Sequence, residues 1–166
     1  MNEGMFVRTG TLDDLDAVAN VEAECFPPSE AATRETLAGR LEHYAAHFWL
    51  MFDGGRLVSF ADGMCTDERN LTDEMYSRPE MHNERGQWQM IFGVNTVPDY
   101  RRRGLAGELL RRVIRDSREH GRKGLVLTCK DKLAGWYESF GFVSEGVSQS
   151  VHGGAVWYQM RLEFQR

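Results

Sequence analysis

The chain has 166 residues, of which 42% are hydrophobic and 27% are charged, and its formal net charge is −5 at pH 7. This size and composition are typical of one soluble globular domain, and the net acidity argues against a general nucleic-acid binder. Cys25, Cys65 and Cys129 show neither metal-ligand spacing nor the even number of a disulfide framework, so we expect a reducing, cytoplasmic setting. No apolar run approaches the roughly 20 residues of a membrane span, and the first residues lack the basic and apolar regions of a signal peptide.

Hydrophobic periodicity and turn residues predict a strand, two helices and a hairpin in the first part of the chain. Thr11 and Asp14 have the spacing of a capping box, and Pro27-Pro28 ends the first helix because proline has no backbone N–H to donate. The sequence 53–55, Asp-Gly-Gly, is typical of a hairpin turn. The expected elements are a strand at 5–9, helices at 15–26 and 29–47, and strands at 48–52 and 57–64.

A long polar segment, residues 66–87, separates this hairpin from the next strand. It is longer than most loops in compact domains, so we expect it to contain a short helix or a mobile lid on the substrate side. Gly93 falls inside the strand that follows, where a glycine often marks a bulge or a close backbone approach. The remaining expected elements are that strand at 88–97, a helix from 105 to a stop at 121, a buried strand at 124–129, a helix at 132–140, and an antiparallel pair at 142–147 and 155–164.

The order of these elements predicts a single mixed α/β (α+β) domain over residues 1–166. It runs strand, two helices, three strands, helix, strand, helix, two strands. Such a chain builds a mixed sheet that is flanked by helices on both faces. There is no repeat, low-complexity segment or linker that would indicate a second domain.

The segment between the strand at 88–97 and the following helix has the character of an anion-binding turn. Arg101, Arg102 and Arg103 lead into Gly104, and the helix begins one residue later. A helix start carries four unpaired N–H groups and about half a positive charge, which suits a phosphate. Guanidinium groups also pair bidentately with phosphate oxygens. The sequence therefore predicts a pyrophosphate-binding turn.

Two stretches of the chain match motifs of one known family. Residues 101–106, Arg-Arg-Arg-Gly-Leu-Ala, fit the pattern Gln/Arg-x-x-Gly-x-Gly/Ala and follow Val-Pro-Asp-Tyr at 97–100. Residues 136–142, Trp-Tyr-Glu-Ser-Phe-Gly-Phe, fit a later aromatic-Tyr-…-Gly-Phe motif. Their order and separation resemble the GNAT superfamily of acyl-CoA-dependent N-acetyltransferases over essentially the whole chain. The resemblance implies a GNAT-like acyl-CoA N-acyltransferase fold, with a mostly antiparallel central sheet of about six to seven strands and about four flanking helices.

Three further segments, 56–61, 67–72 and 126–131, resemble the arylalkylamine (serotonin) N-acetyltransferase branch of this superfamily. That branch has two histidines on the central strand before the turn. The matching positions here are Met90 and Phe92, so its histidine-assisted deprotonation does not carry over. The departure also leaves the acceptor open.

The resemblance implies acetyl-CoA as the co-substrate, in a cleft where the central strand splays from the strand after it. A pantetheine arm is an amide chain, so it can pair with free backbone groups at a strand edge. The pyrophosphate would bind the N–H groups of the turn, and which of the three arginines contacts it stays open. The implied cofactor-binding residues are Val94, Asn95, Thr96, Arg101, Arg102, Arg103, Gly104, Leu105, Ala106 and Gly107.

Tyr137, in the second motif, is the implied catalytic residue. Attack of an amine on the thioester expels a coenzyme A thiolate, which a phenol can protonate because their pKa values lie near one another. By spacing alone, Tyr137 is more often a packing aromatic beside Trp136 and Phe140, and it is the motif that favours the catalytic role.

The acceptor side carries fewer signals. The central strand has no ionisable side chain, so a general base has to come from elsewhere. Glu24, Asp67 and Glu68 are the candidate acids, and each is otherwise a solvated surface residue. Trp88 and Phe92 are candidate walls of a pocket for an apolar amine.

Two histidines and a cysteine complete the candidates. His82 and His152 are candidate bases, but a lone loop histidine is most often simply exposed. Cys129 as an acyl carrier is disfavoured because a buried cysteine is usually inert. No group of residues has metal-ligand spacing and transfer to an amine needs no metal, so we expect none.

We therefore expect an enzyme that transfers an acetyl group from acetyl-CoA to a primary amine by direct attack in a ternary complex. A small amine and a protein N-terminus or lysine both stay open as the acceptor. Because the central strand lacks a base, a non-catalytic acyl-CoA-binding or regulatory domain on the same fold is the alternative. Nucleic-acid binding through the arginines of the turn is a third interpretation, against which the net acidity argues. We expect no nucleic-acid or membrane partner and leave a homodimer open.

Overall fold

Residues 4–165, as a computed structural model describes them, form nine strands and five α-helices. The strands are β1 (Met5–Thr9), β2 (Phe48–Asp53), β3 (Arg56–Asp62), β4 (Cys65–Thr66), β5 (Trp88–Ile91), β6 (Gly93–Thr96), β7 (Gly124–Cys129), β8 (Val143–Val147) and β9 (Tyr158–Glu163). The helices are α1 (Leu15–Cys25), α2 (Arg34–Tyr44), α3 (Asp73–Ser77), α4 (Leu105–Glu119) and α5 (Asp131–Glu138).

The strands form two sheets, one in the order β1-β2-β3-β6 and the other in the order β4-β5-β7-β9-β8. Neighbouring strands are antiparallel except for the parallel pair β5 and β7. The prediction of a mixed, mostly antiparallel α+β fold is confirmed. The strand number exceeds the expected six to seven because β4 is an added short strand and one predicted strand is divided.

The divided strand is the one predicted over 88–97. β5 pairs with β7 in the larger sheet, whereas β6 pairs with β3 in the smaller sheet, and Phe92 lies between them. The prediction of one continuous strand is therefore wrong. The neighbour at Gly93 is a side chain and not the close backbone approach that was predicted, because a Cβ there would lie 2.8 Å from the side-chain oxygen of Asn95. The chain thus changes sheets here, and the two sheets separate beyond this point.

Local sequence signals set the ends of the first two helices. Phe26 is extended, as expected before Pro27, and α1 ends there. The second helix begins at Arg34 and not at residue 29, because the Thr33 hydroxyl accepts the backbone N–H of Thr36 at 3.1 Å and caps the helix. The residues before this cap form a connecting loop that borders the site described below.

The capping box and the long polar segment follow the sequence pattern. The backbone N–H of Thr11 donates to the Asp14 carboxylate at 2.8 Å. The segment 66–87 contains α3 and a 3-10 turn at Pro79–Met81, so the prediction of a short helix is confirmed. Within residues 4–165, no helix combines the length and the apolar character needed to cross a membrane.

Helix α4 packs against the region where the sheets separate. It contacts β3 and β6 of one sheet and β7 of the other. Its buried face is formed by Leu105, Leu109, Leu110 and Val113, at the spacing of an amphipathic helix. The start of α4 is therefore fixed at the end of β6, which places the arginine-rich turn at the mouth of the split.

Candidate active site

A cavity of about 920 Å³ occupies the split between β6 and β7. It is lined by β6, the end of α1 and the loop after it, the start of α4, the end of β7 and α5. A cavity at the point where neighbouring strands diverge is a usual place for a ligand in a mixed sheet. It is also the place that the sequence predicts for the cofactor.

One wall of the cavity is the edge of β6 that β3 does not cover. The Asn95 carbonyl accepts from the Ser59 hydroxyl of β3 at 2.8 Å, so it points toward the smaller sheet. The Thr96 carbonyl points the other way and accepts from the Cys25 thiol at 3.4 Å and from Arg101 Nε at 2.8 Å. Backbone groups alternate in direction along a strand, so Val94 shares the exposed edge with Thr96. The edge can therefore pair with an amide chain.

The arginine-rich turn forms the next wall. Arg102 and Gly104 both have positive φ, 65° and 76°, which turns the chain sharply before α4. Within residues 4–165, the backbone N–H groups of residues 102–107 donate to no protein acceptor, and the first helical hydrogen bond runs from Glu108 to Gly104 at 3.2 Å. Six consecutive unpaired donors at a helix start form a main-chain anion cradle.

The three arginines of the turn have different positions. Arg101 and Arg102 line the cavity. The Arg103 guanidinium instead donates to the Asp99 carbonyl at 3.2 Å and stacks on Tyr100, with its carbon 4.6 Å from the ring centre. All the predicted cofactor-binding residues except Arg103 therefore line the cavity.

Tyr137 lies in the cavity wall at the end of α5. It is nearly buried, and its ring makes edge contacts with Trp136 at 4.9 Å and Phe142 at 5.7 Å between ring centres. Burial raises the pKa of the phenol, and the neighbouring Cys129 raises it further. The phenol therefore stays protonated at neutral pH and is a donor to whatever occupies the cavity.

A group of aromatic rings forms another wall of the cavity. The Tyr76 ring lies 4.8 Å from the ring of Phe92 and 4.8 Å from that of His152, with which it stacks. His152 Nε2 lies 2.9 Å from the Glu30 carbonyl, and the Tyr76 hydroxyl lies 3.0 Å from that of Thr128. These contacts join α3, the loop before β9 and the loop after α1 into one wall.

A buried carboxylate, Glu22 of α1, also lines the cavity. Glu22 is 7% exposed, and its two oxygens accept from the Ala32 backbone N–H at 2.9 Å and from Asn95 Nδ2 at 3.0 Å. Burial, the largest cause, raises the pKa of Glu22 to about 7. This group can therefore change its protonation state near neutral pH.

A buried ion pair stands beside Glu22. Arg40 Nη1 of α2 donates to the Asp62 carboxylate of β3 at 3.1 Å, and Arg40 also donates to the Tyr76 carbonyl at 2.9 Å. The Asp62 charge raises the pKa of Glu22 and the Arg40 charge lowers it. Burial, the first cause, raises the pKa of Asp62 itself. Beside Glu22 the cavity wall thus holds a second carboxylate and one guanidinium.

The comparison with protein families agrees with this geometry. A family model described as “Acetyltransferase (GNAT) domain” matches residues 13–164. The chain belongs to the GNAT acetyltransferase family. The resemblance expected from the two motifs is therefore confirmed.

Individual relatives of this GNAT chain are distant. It is 27% identical to the serotonin N-acetyltransferase of Mesocricetus auratus over 111 residues, which cover 66% of this chain and 52% of that protein. The chain thus spans about half the length of this curated relative.

Solved structures share the fold. The GphF GNAT-like decarboxylase in complex with isobutyryl-CoA has a TM-score of 0.84 at 17% identity, covering 96% of this chain and 100% of that one. The ribosomal-protein-S18-alanine N-acetyltransferase from Escherichia coli has a TM-score of 0.74 at 19% identity, covering 98% and 95%. At these identities the similarity shows the fold and not the substrate.

Several residues predicted for the acceptor side of this GNAT chain lie outside the cavity. Phe92 lines it, whereas Trp88, Asp67 and Glu24 do not. Trp88 is buried beneath the Arg161 guanidinium, 4.5 Å from its ring centre. The Asp67 carboxylate accepts the backbone N–H of Gln87 at 3.1 Å, and Glu24 is exposed on α1. Of these four predicted residues, Phe92 alone therefore lines the cavity.

Sequence reasoning missed Glu22, although a signal was present. Glu22 follows Val18 and Val21 at helical spacing on the face of α1 that is buried, whereas Glu24 falls on the exposed face. A charged residue on the apolar face of an amphipathic helix requires a partner or a function. That pattern would have selected Glu22 over Glu24.

The remaining histidine candidate belongs to a separate cluster. Among residues 4–165, His47, His82 and Glu84 place potential metal-ligand atoms within 4.8 Å of one another. The His82 Nδ1 accepts the Cys65 backbone N–H at 3.0 Å, so its Nε2 carries the proton and donates to Glu84 at 2.9 Å. Hydrogen bonds thus join the members of this cluster, and its residues do not line the cavity.

Proposed function

We propose that this GNAT protein transfers an acetyl group from acetyl-CoA to a primary amine by direct attack in a ternary complex. The observation that carries the proposal is that a cavity of about 920 Å³ joins an anion cradle, a free strand edge, a buried phenol and a buried carboxylate. Each of these serves one part of the reaction: holding the cofactor, protonating the leaving group or receiving the amine.

Acetyl-CoA would lie along β6. The N–H groups of residues 102–107 would bind its diphosphate, and the backbone of Val94 and Thr96 would pair with the pantetheine amides. Arg101 is already engaged with the Thr96 carbonyl, whereas the Arg102 side chain makes no hydrogen bond to residues 4–165. We therefore assign the phosphate contact to Arg102. The cofactor is thus held mainly by main-chain groups.

Tyr137 would protonate the leaving thiolate. Its raised pKa makes it a weaker acid than free tyrosine. The same dry surroundings raise the pKa of a bound coenzyme A thiol, because burial disfavours every anion, so the two groups stay matched. The O–H bond of Tyr137 then breaks as the thiol S–H bond forms.

Transfer through an enzyme-bound acyl group is not supported. Cys129 borders Tyr137 in the cavity wall, but burial raises the pKa of its thiol to about 11. The thiolate is the nucleophilic form, and very little of it is present at neutral pH. Direct attack by the amine is the simpler route.

We call the part of the cavity around Glu22, Asp62 and Arg40 the acceptor end, and we infer that it favours a small cationic amine. With Asp73 and the ion pair of Glu30 and Lys130, its lining has four carboxyl groups against two cationic groups. The stacked rings of Tyr76 and His152 form its wall. These charges attract an ammonium group, and the aromatic wall offers apolar contact to a short chain.

The experiment is a thiol-release assay with acetyl-CoA and a panel of alkylamines, arylalkylamines, polyamines, amino acids and peptides. We expect stoichiometric release of coenzyme A and acetylated amine with at least one primary amine. Tight acetyl-CoA binding without release from any member of the panel would contradict the proposal and would support the non-catalytic alternative.

A further inference from the structure

We propose that Glu22 is the general base of this site, the carboxylate that takes a proton from the acceptor ammonium before attack. This inference rests on the acetyl transfer proposed above and adds the residue that prepares the acceptor. The central strand has no ionisable side chain, so the base is assigned to α1 instead.

The position of Glu22 supports this role. Its carboxylate lines the cavity and is anchored from two sides, by the Ala32 backbone N–H and by the Asn95 side chain. Asn95 lies on β6 between Val94 and Thr96, whose free edge would hold the pantetheine. The base is thus fixed beside the strand along which the thioester would lie, and each oxygen keeps one lone pair for the acceptor.

Proton transfer from the acceptor to Glu22 precedes the bond changes at the thioester. The ammonium N–H bond breaks and its proton moves to Glu22, and the neutral nitrogen attacks the thioester carbonyl carbon. The C–S bond then breaks, and the thiolate takes the proton of Tyr137. The second nitrogen proton returns to the Tyr137 phenolate, and Glu22 releases its proton to solvent. One acetamide, one thiol and one proton result.

The groups around Glu22 set its pKa close to neutral pH, which suits a general base. Asp62 of β3 disfavours its anion, whereas the Ala32 backbone N–H, Arg40 of α2 and the Asn95 side chain of β6 favour it. With burial as the largest cause, the pKa of Glu22 is about 7. A general base works best when its pKa lies near the operating pH, because it is then both deprotonated and basic enough.

Asn95 can accompany both protonation states of Glu22. Its Nδ2 donates to the carboxylate, while its buried Oδ1 has no hydrogen-bond partner within residues 4–165. A half-turn of this amide would present Oδ1 to the O–H of a protonated Glu22. The missing side chain of Gly93 leaves the space next to this oxygen, since a Cβ there would lie 2.8 Å away. The same half-turn accommodates a glutamine at position 22.

The test compares Glu22→Gln with Glu24→Gln, a neighbouring exposed acid on the same helix. The substrate is the primary alkylamine that gives the fastest thiol release with the unmodified protein. For Glu22→Gln we expect kcat/KM at pH 7 to fall about 10²-fold or more while the Kd for coenzyme A stays the same. Glu24→Gln should match the unmodified protein.

The pH profile separates a base from a structural group. The unmodified protein should reach a plateau in kcat/KM above pH of about 7, whereas the Glu22→Gln profile should keep rising as solvent deprotonates the amine. A loss that is equal at every pH, or no loss, would overturn the proposal. Should Glu22→Gln fail to fold by circular dichroism, Glu22→Asp retains a carboxylate, and its profile must still show the acidic limb.

The two proposals fail differently. If the unmodified protein releases thiol and Glu22→Gln is equally active, only the assignment of the base is wrong. If no amine gives thiol release with the unmodified protein, the acetyl transfer itself is wrong.

Discussion

The two ends of the cavity are built in opposite ways. The cofactor end uses main-chain groups from two adjoining stretches, β6 and residues 102–107. The acceptor end uses side chains from segments far apart in the chain, and these are Glu22, Arg40, Asp62, Tyr76 and His152. A local motif can reveal the first kind of site, because backbone geometry is set by nearby residues. The second kind appears only when distant segments meet.

The largest expected effect is the loss of activity on changing Tyr137, whose proton transfer involves both the cofactor and the acceptor. Tyr137→Phe should lower kcat about 10²-fold or more, because the leaving thiolate loses its proton donor, while the Kd for coenzyme A stays the same. Tyr158→Phe, which removes a hydroxyl from a residue outside the cavity, is the matched control. Thiol release and calorimetric titration measure both quantities. Equal kcat values for the two variants would remove Tyr137 from the chemistry.

Burial of Glu22 at the acceptor end should also make the free energy of unfolding depend on pH. Glu22 has its pKa raised from 4.5 to about 7, so the folded protein holds its proton more tightly than the unfolded chain does. Its contribution to the free energy of unfolding is therefore lost as the pH rises from about 4.5 to 7. Between pH 5 and 8 the unmodified protein should lose about 2 kcal/mol more than Glu22→Gln does. Urea unfolding at both pH values measures this, and parallel losses would show that Glu22 ionises normally.

Binding at the cofactor end should depend mainly on backbone conformation. Gly104 has a φ of 76° with open space around its Cα, so alanine there is strained although nothing clashes. We expect Gly104→Ala to raise the Kd for coenzyme A about tenfold, because about 1–2 kcal/mol of left-handed strain opposes the cradle. Gly54→Ala, with a φ of 59° in a turn remote from the cavity, is the control. Similar Kd values for both would separate the turn from cofactor binding.

The smallest effect is expected at Gly93, which lies where the cofactor end and the acceptor end meet. A methyl group at Gly93 would displace the Asn95 amide and disturb the anchor of Glu22. Gly93→Ala should lower kcat/KM severalfold at pH 7, with most of the loss recovered at high pH. The control is Gly55→Ala, where a Cβ meets nothing within 4 Å. A pH-independent loss would instead indicate damage to the cofactor edge.

The contrast between the ends explains which predictions succeeded. Arg101, Arg102 and Gly104 to Gly107 are contiguous, so one motif located a whole wall of the cavity. Glu24 was preferred to Glu22 because both are acids near the end of the same helix, although helical spacing places only Glu22 on the buried face. Trp88 packs beneath Arg161, 73 positions later in the chain, and no local pattern indicates that contact.

The family, the mixed α+β fold, most helix and strand positions and the turn at 101–107 can all be predicted from the sequence. These depend on short-range rules of periodicity, capping and backbone freedom, which neighbouring residues carry. The folded chain was needed to show that the strand at 88–97 divides, that Arg103 turns away onto Tyr100, and that Glu22 lies buried against Asn95. Those features depend on desolvation and on contacts between distant segments, which exist only once the chain has folded.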